Sequence, residues 1–352
     1  LVLLAMPLTT IPFSMSSERV SERRLAAAYP SLFESFREYP QAFEKWFEDH
    51  FGLRSTMIRF YRQTRFELGL FDSNAQVVEG KDDWLFLSGG GEGDPLLAYS
   101  GAIGFEESEL DQLKLYFQKW KSWLDHRGIS FLVLVAPNKV SVYPEHAPDG
   151  LPRSPYGTRT DQFLQRIKKT DVTVLFPIEA LIEMKAEGSD LYYKLDTHWN
   201  VKGAFAVYRE LARSLPGSSR FLETDFRFDE NRRVGGDLSA MLGVESDWMD
   251  FEYRVALTKG EWASSEGEWA PVGNPRREFS MGDSELPKAL VVHDSFMEPI
   301  GGLLARHFSN ATFSSERALR SDLILETRPD LVILEFTERT LHTYLKEALP
   351  QE

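Results

Sequence analysis

Strand-like apolar runs alternate with amphipathic helical segments along much of the chain, and this alternation constrains the fold more than any other feature. Residues 106–127 place large apolar side chains at helical spacing, and Gly128 follows as a stop signal. Ile129 to Ala136 is then an apolar run, interrupted only by Ser130, and is typical of a strand buried on both faces. Similar runs lie at 172–176, 289–292 and 330–336. The pattern predicts an α/β fold in which helices cover both faces of a mostly parallel sheet.

Three segments depart from this alternation. Residues 15–75 have amphipathic helical character and predict an N-terminal helical region, followed by an α/β domain over 76–352. Residues 216–287 show no firm period, which indicates an insertion of loops and short strands. Residues 1–14 are nearly uncharged and apolar but too short to cross a bilayer. We expect them to be the remaining end of a signal anchor or signal peptide, the alternative being an ordinary buried segment.

Composition narrows the class of protein. With 352 residues, of which 42% are hydrophobic, the chain can bury a substantial core. The chain has no cysteine, which excludes disulfides, thiol catalysis and thiolate metal sites. A net charge of −14 argues against nucleic acid as a partner, because phosphate binding needs a concentrated basic surface. Six arginines are candidates for a local basic patch, although solvated surface is the more ordinary interpretation: Arg153, Arg159, Arg232, Arg233, Arg276 and Arg277.

Two short motifs carry residues of a serine hydrolase triad. Asp196-Thr197-His198-Trp199 precedes a helix that Asn200 is suited to cap, and His293-Asp294-Ser295-Phe296 follows an apolar strand-like run. A serine hydroxyl is a poor nucleophile until an imidazole takes its proton and a carboxylate orients that imidazole. Ser295 at a strand-to-helix junction would project from the end of the sheet, near free helix N–H groups.

Other interpretations of the same residues stay open. His198 is equally suited to be a structural histidine, and Asp294 or Ser295 to be a helix N-cap. Asp196, His198, His293 and Asp294 also offer ligands for a metal-dependent hydrolase, although no spacing typical of zinc hydrolases is present.

Four further segments of the chain, together with the two motifs, resemble one known family. They are Pro40 to Arg54, Gly80 to Phe86, Pro137 to Lys139 and Val142 to Glu145. Together with the motifs they resemble, in order and over roughly residues 18 to 340, the alginate O-acetyltransferase family of the AlgJ and AlgX type. Members of that family are SGNH-hydrolase-like proteins of the bacterial periplasm.

The resemblance implies a three-layer α/β/α fold and a two-step acetyl transfer. Ser295 would form an acetyl-serine, with His198 as general base and Asp196 orienting it. A hydroxyl of an exopolysaccharide, alginate-like or another polymer, would then take the acetyl group, which a membrane O-acyltransferase supplies. No cofactor and no metal are expected. The implied location is the periplasm, with an N-terminal anchor to the inner membrane. A carbohydrate O-acetyl esterase and a non-catalytic polysaccharide-binding component of an export complex are the alternatives.

Two more residues are candidates at the site. His293 stands where the family usually has glycine, two residues before the serine, and is a candidate to crowd the site, donate to an oxyanion or compete as the base. Capping the end of a strand is its structural alternative. Asn138 follows the strongest predicted strand, where the resemblance implies an oxyanion donor; closing the turn after Pro137 is the alternative.

Overall fold

A computed structural model describes residues 19–20, 24–25, 29, 39–50, 76–89, 93–215, 226–242, 249–257, 264–266, 276–281 and 283–351. Within these residues the strands are β1 (Arg19–Val20), β2 (Arg24–Leu25), β3 (Val77–Glu79), β4 (Leu85–Leu87), β5 (Ser130–Ala136), β6 (Thr173–Leu175), β7 (Phe226–Val234), β8 (Met249–Leu257), β9 (Ser264–Glu266), β10 (Arg276–Ser280), β11 (Lys288–Val292), β12 (Asn310–Ser314) and β13 (Leu331–Thr337). The α-helices are α1 (Tyr39–His50), α2 (Pro95–Ser100), α3 (Glu107–Asp125), α4 (Lys139–Val142), α5 (Arg159–Ile167), α6 (Ile178–Ala186), α7 (Val201–Arg213), α8 (Asp237–Leu242), α9 (Gly301–Ala305) and α10 (Ser321–Thr327). Segments Pro144–His146, Ser295–Ile300 and Glu338–Leu345 are 3₁₀ helices.

Seven strands form the central sheet, in the order β6-β5-β13-β11-β12-β10-β9. The first five run parallel, and their positions agree with the four predicted strand runs plus β12. Strands β10 and β9 extend the sheet antiparallel to β12. The predicted mostly parallel α/β sheet is confirmed.

Alternate side chains along the parallel strands feed two apolar layers, one on each face of the sheet. Leu132, Leu134 and Val291 belong to the layer that includes helix α7, whereas Val133 and Leu290 belong to the layer that includes helices α3, α5 and α10. Period-two alternation sends successive side chains to opposite faces, so strands that are apolar throughout must be covered on both sides. The three-layer α/β/α arrangement follows.

Region 216–287, which interrupts the alternation of strands and helices, contains two pairs of strands with different surroundings. Strands β7 and β8 pair only with each other among the residues described, as a nine-residue antiparallel ladder. Strands β9 and β10 instead join the edge of the central sheet through β12. The sequence predicts short strands here but not that two of them complete the sheet, because pairing to a distant edge leaves no local signal.

The N-terminal region is described in part. Helix α1 and the short β1–β2 pair fall within the predicted helical region 15–75, and most other residues of that region lie outside those described. The predicted anchor remnant at 1–14 lies outside them entirely. No helix among the described residues is long and apolar enough to span a membrane.

Candidate active site

Three neighbouring parallel strands of the sheet end at one edge, and polar residues follow each of them. Asn138 comes after β5, Asp294 and Ser295 after β11, and Thr337 closes β13. Strand order places β13 between β5 and β11, so these residues share one edge of the sheet. In open α/β folds ligands bind at this carboxyl edge.

Ser295 begins a 3₁₀ helix directly after the turn at Asp294. The Asp294 carboxylate accepts from the Phe296 N–H at 2.8 Å and from the Thr337 N–H at 3.0 Å, while the Asp294 N–H donates to Glu335 Oε2 at 3.0 Å. Asp294 is therefore the cap that ties this turn to β13. Ser295 is the first residue of this helix, so its N–H has no acceptor within the helix and can meet a developing negative charge.

The loop from Tyr193 to Trp199 carries His198, the candidate base, and is named the base loop. It is folded back tightly on itself. Tyr193 N–H donates to the carbonyl of His198 at 3.2 Å, and Asn200 caps α7 by accepting from the N–H of Lys202 at 2.9 Å. Trp199 then joins this loop to the serine turn, because its Nε1–H donates to the Phe296 carbonyl at 2.9 Å. The two motifs, about a hundred residues apart in the chain, are thus fixed against each other.

The three predicted triad residues form one hydrogen-bonded series. Asp196 Oδ1 lies 2.6 Å from His198 Nδ1, and His198 Nε2 lies 2.7 Å from Ser295 Oγ. Both are hydrogen-bonding distances, and the two ring nitrogens face the carboxylate and the hydroxyl in turn. Asp196 is buried, while Ser295 is partly exposed and His198 keeps 25% of its side chain accessible. A substrate can therefore reach the serine and the imidazole, but not the carboxylate.

Electrostatics favour a charged carboxylate beside a basic imidazole. Burial opposes charge on both groups, but the hydrogen bond with His198, together with the charges of His198 and Arg233, holds the pKa of Asp196 well below its usual range. Burial likewise works to lower the pKa of His198, and the hydrogen bond and charge of Asp196, with a further contribution from Asp237, outweigh it and raise that pKa. Asp196 is therefore ionised at neutral pH and lies where it can stabilise a positive charge on the His198 ring.

Two residues at this site were not singled out as site residues by the sequence. Arg233, near the end of β7, donates to Asp196 Oδ2 at 2.7 Å, and the Asp237 N–H donates to the same oxygen at 3.1 Å. Asp237 Oδ2 also lies 3.7 Å from His198 Nδ1. Solvated surface is thus the wrong interpretation for Arg233, because β7 brings it back onto the base loop. In the sequence, Gly235-Gly236 lies between Arg233 and Asp237, which begins a helix. This pair of glycines is the one local signal that could have pointed to Arg233 and Asp237 as site residues.

Gly236 permits this close approach. A Cβ at this position would lie 2.5 Å from the Leu195 carbonyl oxygen and 2.7 Å from Asp196 Cβ, well inside van der Waals contact. A side chain here would have to push helix α8 away from the base loop. The glycine is therefore what lets the Asp237 N–H reach the triad carboxylate.

Asn138 occupies the position predicted for an oxyanion donor, at the end of β5. Its N–H donates to Glu338 Oε2 at 2.5 Å, and its side chain does not cap α4. Asn138 lines a small cleft together with Thr197 and Arg339, beside the base loop. Its role as a donor stays a prediction.

His293 is almost fully buried, with 1% of its surface exposed. Its Nδ1 lies 2.6 Å from the carbonyl oxygen of Asp294, and its ring packs edge-on against Phe313 at a centroid distance of 5.7 Å. Burial lowers the pKa of His293, which favours a neutral ring. The imidazole within hydrogen-bonding distance of Ser295 Oγ is that of His198; a role for His293 in the chemistry stays a prediction.

The ligand set suggested for a metal-dependent hydrolase is not the one that the described residues bring together. Asp196, His198 and Asp237 hold ligand atoms within 4.8 Å of one another, without His293 or Asp294. The carboxylate oxygens of this group already accept hydrogen bonds: those of Asp196 from His198, Arg233 and the Asp237 N–H, and those of Asp237 from Thr197. A guanidinium in contact with the carboxylate favours an ion pair over a bound cation.

Comparison with known proteins agrees with the fold and the motifs. The family model described as "SGNH hydrolase-like domain, acetyltransferase AlgX" matches residues 77–338. A probable alginate O-acetylase AlgJ from Pseudomonas syringae pv. tomato is 25% identical over 338 residues, which covers 89% of this chain and 82% of that protein. A probable alginate O-acetylase AlgJ from Pseudomonas fluorescens is 23% identical over 331 residues, which covers 86% of this chain and 77% of that protein.

Solved structures share the fold at low sequence identity. The structure of Bacillus cereus PatB1 aligns with a TM-score of 0.58 at 16% identity and covers 75% of this chain and 96% of that chain. The O-acetyltransferase domain of Pseudomonas putida AlgJ aligns with a TM-score of 0.51 at 20% identity, covering 76% and 92%. With the sheet, the two motifs and a family match over most of the chain, this protein belongs to the SGNH hydrolase-like acetyltransferase family of the AlgX type.

Proposed function

We propose that this protein transfers acetyl groups to hydroxyls of an exopolysaccharide through an acetyl-Ser295 intermediate. The observation that carries the proposal is the continuous series from Asp196 through His198 to Ser295, with contacts of 2.6 and 2.7 Å. Such a series supplies what nucleophilic catalysis by an alcohol requires: a base in contact with the hydroxyl and a carboxylate that orients the base.

In the first half-reaction, Ser295 Oγ attacks the acetyl carbonyl carbon while His198 Nε2 takes the hydroxyl proton. The negative charge that develops on the carbonyl oxygen meets the Ser295 N–H, with the Asn138 side chain as the second candidate donor. When the tetrahedral intermediate collapses, the bond to the donor's leaving group breaks. That group departs with the proton from His198, and the acetyl ester of Ser295 remains.

In the second half-reaction, a sugar hydroxyl enters where the leaving group stood. His198 Nε2 removes its proton as its oxygen attacks the acetyl-serine carbonyl. Collapse breaks the bond to Ser295 Oγ, which recovers its proton from His198. If water entered in place of the sugar, the same steps would give an esterase, so the acceptor alone distinguishes the two activities.

The acceptor, the location and the source of acetyl groups belong to the same proposal. Relatives named as probable alginate O-acetylases support a polysaccharide as the acceptor. We place the reaction in the periplasm, with a membrane O-acyltransferase as the source of acetyl groups. The net charge of −14 makes a neutral or weakly charged polymer as good a candidate as anionic alginate.

The intermediate can be tested with an artificial acetyl ester and mass spectrometry. The wild-type protein should gain one acetyl group on the peptide that contains Ser295, and Ser295→Ala and His198→Ala should not. Ser130→Ala is the matched control, because Ser130 starts β5 at the opposite edge of the sheet. Equal labelling of wild type and Ser295→Ala would refute the proposal.

The acceptor can be tested by adding oligosaccharides to the acetylated protein. Faster loss of the acetyl-serine, with acetyl ester appearing on the sugar, supports a transferase, and loss that sugars do not accelerate supports an esterase. A non-catalytic binding protein would instead leave polymer acetylation in cells unchanged by Ser295→Ala. Running uronate and neutral oligomers side by side would identify the class of acceptor.

A further inference from the structure

Lys139 is a buried lysine to which the acyl-transfer mechanism assigns no step. It is the first residue of helix α4, and only 5% of its surface is exposed. Its Nζ donates to three backbone carbonyls, those of Tyr193 at 3.1 Å, Lys194 at 3.0 Å and Asp196 at 2.7 Å. All three of these hydrogen bonds are made to one segment of backbone.

That segment is the loop that carries the base. An ammonium group has three N–H donors and no acceptor, so the three carbonyls use its whole donor capacity. The shortest contact is with the carbonyl of Asp196, whose carboxylate orients His198. Carbonyl and carboxylate are attached to the same Cα, and displacement of one displaces the other.

Lys139 is itself fixed from the other side. Glu338 Oε2 accepts from the Asn138 N–H and, at 2.6 Å, from Ser141 Oγ, which holds α4 against the end of β13. The ammonium lies 5.5 Å from the ring centroid of Trp84 and 5.2 Å from that of Phe86. The side chain therefore links the rigid sheet edge to the base loop.

We propose that Lys139 is a positioning residue, which holds the loop of Tyr193 to Asp196 so that His198 meets Ser295. The expected effect on the reactivity of Ser295 rests on the proposed function, in which that serine is the nucleophile. The expected effect on the His198 ring does not. Lys139 touches no reacting atom and acts only through the loop.

The charge of Lys139 should matter to this role. Burial lowers the pKa of Lys139 to about 7, against the opposing charges of Asp196, Asp237 and Asp250. Below that pH the ammonium serves three carbonyls; above it the neutral amine has two N–H donors, and one carbonyl loses its partner. The loop is therefore expected to be best ordered while Lys139 is protonated.

The test compares Lys139→Met with Lys185→Met. Lys185 is the matched control, because its Nζ donates to the Val142 carbonyl of the same helix at 2.6 Å and has no described contact with the base loop. The first measurement is the rate at which an organic sulfonyl fluoride modifies Ser295. We expect it to fall about 100-fold in Lys139→Met, as for a misplacement of about 1 Å, and to change little in Lys185→Met.

The second measurement is the nitrogen-15 and proton resonance of the His198 Nδ1–H group. Lys139→Met should shift or broaden this resonance, and Lys185→Met should leave it unchanged. A folded Lys139→Met protein with the wild-type rate and resonance would overturn the proposal. Neither readout needs an acetyl donor or acceptor, so a wild-type protein that transfers no acetyl would sink the proposed function and leave this test intact.

Circular dichroism and thermal unfolding establish whether each variant folds. Should Lys139→Met fail to fold, the wild-type protein decides the matter through a titration followed at Lys139 Nζ and His198 Nδ1. A change at His198 that shares the midpoint of Lys139 supports the positioning role. Titration of Lys139 with no response at His198, once the ring's own midpoint is accounted for, contradicts it.

Discussion

Replacing Asp196 by asparagine should nearly abolish the chemistry while the fold is retained. Asp196 Oδ1 faces His198 Nδ1, and Oδ2 accepts from Arg233 and from the Asp237 N–H. With Asn in place, turning the NH₂ group toward Arg233 sets it against two donors. Turning it toward His198 sets it against the backbone N–H of His198, 3.1 Å from Oδ1, and against a ring nitrogen that can become an acceptor. This second orientation keeps Arg233 paired and is the favoured one.

The favoured orientation reverses the tautomer of His198. An amide NH₂ at 2.6 Å from Nδ1 requires Nδ1 to accept, which moves the ring proton to Nε2. Nε2 then faces Ser295 Oγ as a donor and cannot take the hydroxyl proton. Loss of the tautomer in a serine triad reduces kcat by ~10⁴-fold. At about 1.4 kcal/mol for each tenfold, the barrier rises by about 5 kcal/mol.

The assay is the hydrolysis or transfer of acetyl from an artificial ester, with kcat and KM measured separately. Binding of the ester does not involve Asp196, so the loss should appear in kcat with little change in KM. Asp237→Asn is the matched control: its carboxylate lies 3.7 Å from Nδ1, beyond hydrogen-bonding distance, and roughly a tenfold loss is expected from its charge alone. A kcat of Asp196→Asn within about tenfold of wild type would show that Asp196 does not set the tautomer.

Three further predictions follow from the same geometry. Since Asp196 raises the pKa of His198 above its ordinary 6.5, activity should fall as pH falls through a midpoint above 6.5, which a pH profile of kcat/KM measures. The corresponding stability is fully present below pH 6.5 and is lost as pH rises through the raised pKa. Gly236→Ala should lower kcat by about 100-fold by pushing α8 off the base loop. Trp199→Phe should destabilise the protein to urea by about 1–3 kcal/mol, because the Phe296 carbonyl loses its buried donor, and should also lower kcat.

Each of these predictions has a control in the chain. Asp196→Asn should move the acid midpoint of any residual activity downward, and an unmoved midpoint would separate that limb from His198. Gly104→Ala controls for Gly236→Ala, since its Cβ would meet Gln162 at an ordinary 3.5 Å; equal losses would contradict the steric argument. Trp120→Phe removes an Nε1–H bond to the Ala348 carbonyl far from the motifs. It should cost stability alone, and equal loss of kcat in both tryptophan variants would count against the role of Trp199 in joining the motifs.

Local patterns were sufficient for the layer structure of the protein. The apolar run from Phe131 to Ala136 predicts a strand covered on both faces, and β5 lies there with helices on both sides. The apolar face of α3 could be predicted because its large apolar side chains recur every three to four residues. Local patterns could not place strands β9 and β10 in the sheet. Their position depends on which edge of the sheet is free to pair, and the residues of the two strands carry no signal of that.

The sequence by itself determined which residue types were present for acyl transfer and that each motif stood beside a strand or helix end. Only the tertiary structure decided which groups surround them. In the folded chain, Arg233 and Asp237 of the insertion donate hydrogen bonds to the carboxylate of Asp196, and Lys139 donates to the backbone carbonyl of the same residue. The physical reason is that hydrogen bonds and ion pairs act over a few ångströms between segments far apart in the chain. Periodicity and capping preferences report only on neighbours in sequence.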